Sequence, residues 1–313
     1  MDEISSWIDD DGIQELILEA MVGYKFKPHR GLGLGDETVL ASTFLKQLAG
    51  TKSRLMVSWE GRRPAGLVFL RDLPWDSRLF GKRMSRIEAI IYAQGVRADH
   101  LVRDVVRRCT DEGVDHVSTR VDFADFQTIH ALEVNGFLLV DTLLTLYSQR
   151  CCNAPTNGLV DYDPSHKSSM LDIANRGFVR SRFMTDPHLS RSSARLVYSR
   201  WVEEGINGRA DFIKVAIDGE RVSGFVLCRK SAEQFGDHTV SIGTLDLIAV
   251  DPNRQGQGIG RRLTEAACAW LGQTCDVHFV GTRCDNFPAI GAYLSAGFRF
   301  YSGKVGFHAW LGD

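Results

Sequence analysis

A chain of 313 residues has room for two domains of ordinary size, and its 44% apolar content supplies a core for each. With 37 Lys and Arg against 39 Asp and Glu, the formal charge of −2 gives no whole-chain attraction to nucleic acid or to an anionic membrane. No apolar run reaches the ~18 residues of a membrane span. The opening MDEISSWIDDDG is acidic, unlike a signal peptide, and the seven cysteines show no C-x-x-C spacing. The expectation is a cytoplasmic chain with free thiols and no metal site, either monomer or homodimer.

In the first fifty residues, Ile13 to Met21 and Thr38 to Leu48 read as short helices. Gly31-Leu-Gly-Leu-Gly35 reads as a loop, because no strand precedes it. From Arg54 to Leu70 the pattern is strand, turn at Glu60-Gly61, strand, and Asp211 to Leu227 repeats that layout with its turn at Asp218-Gly219. The echo continues. Val117-Ser-Thr-Arg-Val-Asp122 parallels Val280-Gly-Thr-Arg-Cys-Asp285, and Ala131-Leu-Glu-Val-Asn-Gly136-Phe137 parallels Ala292-Tyr-Leu-Ser-Ala-Gly297-Phe298. The chain therefore reads as an internal duplication whose period is too long for a solenoid. Ser148 to Asp163, with Pro155 and the vicinal Cys151-Cys152, reads as the linker. The expected division is residues 1–50 as an N-terminal extension, 51–150 as a first half and 151–313 as a second.

The second half holds the richest stretch. Leu245, Leu247, Ile248, Ala249 and Val250 make a strand that Asp251-Pro252-Asn253 stops, since Pro252 has no N–H for a ladder. Arg254, Gln255, Gly256, Gln257, Gly258, Ile259, Gly260 and Arg261 then lead into a helical pattern from Arg261 to Leu271. Glycines leave backbone N–H groups uncovered, and the first N–H groups of a helix lack partners and carry partial positive charge. Together they form a seat for a pyrophosphate, with Arg254, Arg261 and Arg262 beside it. No Gly-Lys-Ser/Thr follows, so this is not a P-loop, and the glycines are one residue short of G-x-G-x-x-G. Val277 to Cys284 alternates as a strand, and Ala289 to Ser295 reads as a helix with Gly297 in the left-handed position after it.

The spacing Gln255-x-x-Gly258-x-Gly260 after an I-A-V-x-P strand resembles motif A of the GNAT N-acetyltransferases. Asn286-Phe-Pro-Ala289 through Tyr293 to Gly297-Phe298 resembles their motif B. The resemblance implies an α/β (α+β) fold of tandem GNAT-like type. A degenerate N-terminal half precedes a complete GNAT domain with a mixed, mainly antiparallel sheet flanked by helices. It implies acetyl-CoA as acyl donor, with its pyrophosphate on the glycine loop and its pantetheine arm held by amides along Ile248, Ala249 and Val250. Asn286 helps hold that arm, and Tyr293 faces the thioester sulfur. A phenol there supplies the proton that a leaving thiolate needs; the bland alternative for Tyr293 is an aromatic core residue. The first half has Gly95-Val-Arg-Ala-Asp-His100 in place of the loop and Leu132 in place of Tyr293, so one active site is expected.

Further segments resemble a narrower family, the bacterial dTDP-fucosamine (dTDP-4-amino-4,6-dideoxygalactose) N-acetyltransferases. These are Leu73-Pro-Trp75-Asp76-Ser77 to Phe80-Gly81, Ala131 to Asp141, Phe178 to Pro187 and Tyr198 to Val202. They imply an amine acceptor that is a nucleotide amino sugar, with a carboxylate at Asp141 beside the amine. Asp246 is the rival base. Arg182, next to Phe183, grips an acceptor phosphate or braces Asp186, and Trp75 is a packing residue or a sugar platform. The alternatives are another small amine or peptide N-terminus as acceptor, or a CoA-binding sensor without turnover.

Overall fold

The computed structural model describes residues 10–23, 37–50, 53–150, 158–178 and 181–312. The glycine-rich 31–35, the Cys151-Cys152 pair and residues 179–180 lie outside them. The chain forms two compact units, one of Met1–Val140 with Gln234–His238 and Lys304–Asp313, the other of Asp141–Glu233 with Thr239–Gly303.

In the first unit, helices α1 (Asp11–Gly23) and α2 (Glu37–Gly50) lead into a hairpin of β1 (Arg54–Glu60) and β2 (Arg63–Asp72). Then follow α3 (Pro74–Phe80), β3 (Met84–Tyr92), α4 (Ala98–Asp111), β4 (His116–Asp122), α5 (Phe126–Val134) and β5 (Leu138–Ser148), which from Asp141 belongs to the second unit. The second unit runs β6 (Leu159–Asp161), α6 (Lys167–Gly177), α7 (Arg182–Thr185), α8 (Arg191–Glu204), β7 (Phe212–Asp218), β8 (Arg221–Phe235), β9 (His238–Val250), α9 (Ile259–Thr274), β10 (Val277–Arg283) and α10 (Phe287–Ser295), and β11 (Arg299–Trp310) returns to the first unit from Lys304. Strand order is β1-β2-β3-β4-β11 in the first and β5-β10-β9-β8-β7-β6 in the second. Both sheets are mixed and mainly antiparallel, with one parallel pair each, β3–β4 and β9–β10.

The duplication holds down to local irregularities. The β1–β2 register slips between Ser58 and Trp59, and the β7–β8 register slips at the same place, between Ala216 and Ile217. A Cβ at Gly66 would lie 2.6 Å from Leu101 on α4, and one at Gly224 would lie 3.2 Å from Ile259 on α9. Each glycine lets a helix settle onto its sheet. One sheet face of the first unit packs Val102 and Val105 of α4 with Leu132 of α5, and one face of the second packs Leu263 and Leu271 of α9 with Tyr293 of α10. On the opposite face of the second, Met170 and Ile173 of α6 and Val202 of α8 join Phe225 and Leu247. In the first unit that place belongs to Ile13, Leu16 and Ile17 of α1 and Leu48 of α2, against Leu67 and Phe69. Helices α1 and α2, which the sequence reading set apart with residues 1–50 as an extension, therefore supply the first unit's own helical layer.

Two features depart from the sequence reading. β5 follows α5 but pairs with β10, and β11 follows α10 but its Lys304–Trp310 half pairs with β4. Equivalent strands are thus exchanged between the halves. The chain crosses from one unit to the other within β5 rather than at residue 150, and its last residues complete the first unit. The second departure is a matter of alignment. The parallel ladders pair Thr119 with Ile87 and Val280 with Leu245, so Thr119 is the counterpart of Val280. The V-x-T-R-x-D echo is offset by two residues, and the true counterpart of Asp122 is Arg283. Their strand partners, Lys304 and Leu143, match in the same way.

Candidate active site

The site grows from the end of β9. Its parallel ladder with β10 covers only Ile242 to Leu245. Beyond that point the strand's facing alternation slips: Leu245, Ile248 and Val250 pack on the α9 side, Leu247 and Ala249 on the α6/α8 side. Two side chains sharing a face, Asp246 and Leu247, mark an extra residue in the strand. β10 meanwhile continues through Arg283 along β5. The two parallel strands therefore separate, and the edge of β9 from Asp246 to Val250 presents peptide groups toward β10 without a ladder partner there.

At the end of that edge, Asp251 accepts hydrogen bonds from Asn253 N–H at 3.0 Å and Arg176 Nη1 at 3.2 Å. The Asn253 amide first, then Arg176, hold its carboxyl below the usual range. Gly256 (φ 78°) and Gly258 (φ 73°) take left-handed backbone, and a Cβ at either would meet nothing within 4 Å. Gly258 caps the 16-residue α9 without any side-chain cap. Among the described residues no carbonyl or side chain accepts from the N–H groups of Gly256 through Arg261. Unclaimed amides on an open, glycine-lined helix start fit a diphosphate. Arg254 pairs with Asp218 at 2.9 Å and Arg261 with Glu265 at 2.8 Å; both guanidinium groups reach solvent, where such pairs are weak. Arg262 has a buried Nε with no protein partner among the described residues.

On α10, Asn286 takes the N-cap position and donates its amide to Thr282 Oγ1 at 3.1 Å. Tyr293 is 3% exposed, edge-on to Phe298, and clusters with Ile259 of α9 and with Ile248 and Val250 of β9. Burial raises its phenol above the ordinary value. The loop, the open strand edge, Asn286 and Tyr293 thus converge in one unit.

The profile of the Acetyltransferase (GNAT) family matches residues 176–298, from the arginine that braces Asp251 to the end of motif B. Residues 176–298 are a GNAT acetyltransferase domain. As such the protein is an N-acetyltransferase with acetyl-CoA as acyl donor, and its fold is a tandem GNAT fold. The chain is 23% identical over 262 residues to the spore coat polysaccharide biosynthesis protein SpsD of Bacillus subtilis, a match covering 81% of this chain and 87% of that protein. It is 34% identical over 99 residues to the mycothiol acetyltransferase of Actinosynnema mirum, covering 31% of each. Among solved structures, a GCN5-related N-acetyltransferase from Sphaerobacter thermophilus superposes with TM-score 0.60 at 13% identity, over 96% of this chain and 92% of that one. A tandem GNAT protein from the clavulanic acid biosynthesis pathway gives 0.55 at 15% identity, over 98% and 97%. Both likenesses concern the fold.

The expected acceptor residues are dispersed. Asp141 is buried (5% exposed) at the start of the second unit's part of β5, within electrostatic reach of Arg283. Arg283 forks onto Asp285 at 2.9 and 3.2 Å and reaches Thr185 of α7 at 3.5 Å. Sequence reading passed over Arg283, since nothing in T-R-C-D marks it. Asp246 sits on the α6/α8 side with Arg229 at 3.8 Å and Arg209 at 3.9 Å. Its counterpart in the first unit is Glu88, paired with Arg71 at 2.5 Å, and Arg71 is the counterpart of Arg229. A half without glycine loop or tyrosine keeps the same acid–arginine pair, which favours a bracing role for Asp246. On α7, Ser181 caps the helix through Met184 N–H, Arg182 lies 4.5 Å over the Phe183 ring, and Asp186 accepts from His188 N–H. Trp75 is half-buried on α3 of the first unit. Among the described residues no helix is long and apolar enough to cross a membrane.

Proposed function

We infer that the protein transfers the acetyl group of acetyl-CoA to the primary amine of an amino sugar, nucleotide-linked and of the 4-amino-4,6-dideoxyhexose type, by direct attack on the thioester. The observation that carries this acceptor is the extent of the likeness to SpsD. It runs over 262 residues, whereas the GNAT profile accounts for residues 176–298 alone. A likeness through the half that lacks the CoA loop points to a shared acceptor rather than to a shared donor.

Each residue's part follows from its surroundings. The amides from Gly256 to Arg261 seat the diphosphate, and the unpaired edge of β9 aligns the pantetheine arm. A backbone N–H on that edge polarises the thioester carbonyl. The amine must shed a proton before or during attack. Asp141, buried beside Arg283, takes it directly or through water, while Asp246 is engaged by two arginines. Tyr293, kept protonated by burial, donates to the departing thiolate.

The test is free-thiol release from acetyl-CoA with a panel of nucleotide 4-amino sugars, unlinked amino sugars, polyamines, amino acids and peptides. Turnover confined to the amino sugars supports the reading. Turnover only on peptides or polyamines would refute it, and so would stabilisation by acetyl-CoA with no thiol release on any amine.

A further inference from the structure

Coenzyme A carries three phosphoryl groups, two in its diphosphate and one as a monoester on the ribose. The amides from Gly256 to Arg261 serve the first two. Beside them, Arg254 and Arg261 already hold a carboxylate each, on Asp218 and Glu265. Arg262 is different. Its side chain makes no hydrogen bond or ion pair among the described residues, its Nε is buried, and the residue as a whole is half-buried. A guanidinium drawn partly out of water without a counter-charge is destabilising, and a bound anion relieves it.

The fold does not ask for a cation at this position. The same spacing separates Ala98 from Ile259, the first residues of α4 and α9, and Thr119 from Val280, which share a ladder position in the two sheets. At that spacing the counterpart of Arg262 is Leu101, a buried residue that covers Gly66 of β2. The unit without the glycine loop thus packs a leucine where the unit with the loop keeps an unpaired arginine. The surroundings give the arginine its direction. Long helical side chains lean toward the N-terminus of their helix, which here is the phosphate end. Arg262, Ala266 and Trp270 follow one another along one flank of α9, and Trp270 stacks on Phe212 of β7 at 4.8 Å. A Cβ at Gly158, just before β6, would lie 3.4 Å from Arg262 Nη1, and Gly158 O accepts from Ile217 N–H of β7 at 3.1 Å. The guanidinium therefore lies over the β6–β7 edge. Cys268, on the other flank of α9, is within electrostatic reach of Tyr293. The phenol assigned to the thioester and Arg262 thus lie on opposite sides of the helix.

We propose that Arg262 binds the 3′-phosphate of coenzyme A and makes the donor site select acetyl-CoA over its 3′-dephospho form. The diphosphate joins the pantetheine arm to the ribose. With the arm leaving along the open edge of β9 toward β10, the ribose leaves from the other phosphorus, toward the flank that bears Arg262. A phosphomonoester carries about −1.5 to −2 charges near pH 7, and a guanidinium meets its oxygens with two parallel N–H donors. Arg254, held by Asp218 next to Ile217, brings a second cation to the same end of β7. This subsite belongs to the donor and does not depend on the identity of the acceptor.

The test is calorimetric titration of the full chain with coenzyme A and with 3′-dephospho-coenzyme A. Wild type should bind coenzyme A about tenfold or more tightly than the dephospho form, as a charge-assisted contact contributes. Arg262→Leu copies the residue of the first unit and should melt no lower than wild type. It should bind both ligands with the affinity that wild type shows for the dephospho form. Arg262→Gln should do the same and guards against a packing fault peculiar to leucine. Equal affinity of wild type for the two ligands, or no binding of coenzyme A, would overturn the subsite. So would an equal loss for both ligands in both variants, which would put Arg262 on the diphosphate or in a structural role. A preference for coenzyme A kept in full by either variant would overturn it as well.

Discussion

Replacing Gly258 with alanine separates the backbone cost of the glycine loop from its binding role. Gly258 has φ 73°, and a Cβ there meets nothing within 4 Å of protein, so the substitution creates no internal clash. What it adds is left-handed strain of about 1–2 kcal/mol for a residue with a side chain. For a unit of this size that lowers the melting temperature by about 2–8 °C. In the liganded state the methyl group stands over amides that otherwise meet phosphate oxygens. Losing one such charge-assisted bond costs about 1.5–3 kcal/mol, or roughly 10–100-fold in affinity. Gly219 is the matched control: φ is 61°, a Cβ there also meets nothing, and it lies in the β7–β8 turn. Calorimetric titration with acetyl-CoA and thermal melting of both variants make the assay. Both should melt lower by similar amounts, and only Gly258→Ala should lose acetyl-CoA affinity. Equal affinity in the two variants would refute the placement of the diphosphate on this loop.

Tyr293→Phe should lower kcat by about ten- to a thousandfold with acetyl-CoA affinity retained; unimpaired turnover would leave Tyr293 as a core residue only. Asp141→Asn should depress kcat and alter the pH–rate profile. Asp246→Asn should mainly lower the melting temperature, because it leaves Arg209 and Arg229 facing a neutral group; the opposite pattern would make Asp246 the base. His278 is fully buried with both ring nitrogens unpartnered among the described residues, and burial lowers its pKa from 6.5 to about 4. Since the unfolded chain binds its proton more readily, the neutral ring's contribution is complete above about pH 6.5. It fades as pH falls toward 4, by up to about 3 kcal/mol. Urea unfolding at pH 7 and pH 4.5 should show a larger loss for wild type than for His278→Phe, and equal losses would contradict this account.

Much of both halves was legible because the signals are local. The hairpin turns at Gly61 and Gly219, the stop at Asp251-Pro252 and the opening of α9 at Gly258 each depend on a few neighbouring residues. The Tyr293 helix was legible for the same reason. Less was legible where residues distant in sequence meet. T-R-x-D looked like a repeat, yet the ladder register moves it by two residues, because pairing answers to the whole sheet and not to four letters.

The amino-acid order alone showed that the chain is duplicated and that only its second half carries the glycine loop before α9 and a tyrosine at the position of Tyr293; acetyl-CoA followed from the resemblance of those segments to the GNAT family. Those features are set by backbone freedom and side-chain chemistry within short segments. Tertiary structure decided that residues 1–50 include the first unit's missing helices and that β5 and β11 trade places. It also decided that Arg262 of α9 lies against Gly158, distant from it in the chain. Two equivalent strands carry the same pattern of apolar and polar residues, so sequence cannot say which sheet each will join; only the combined burial and hydrogen bonding of both sheets selects the exchange.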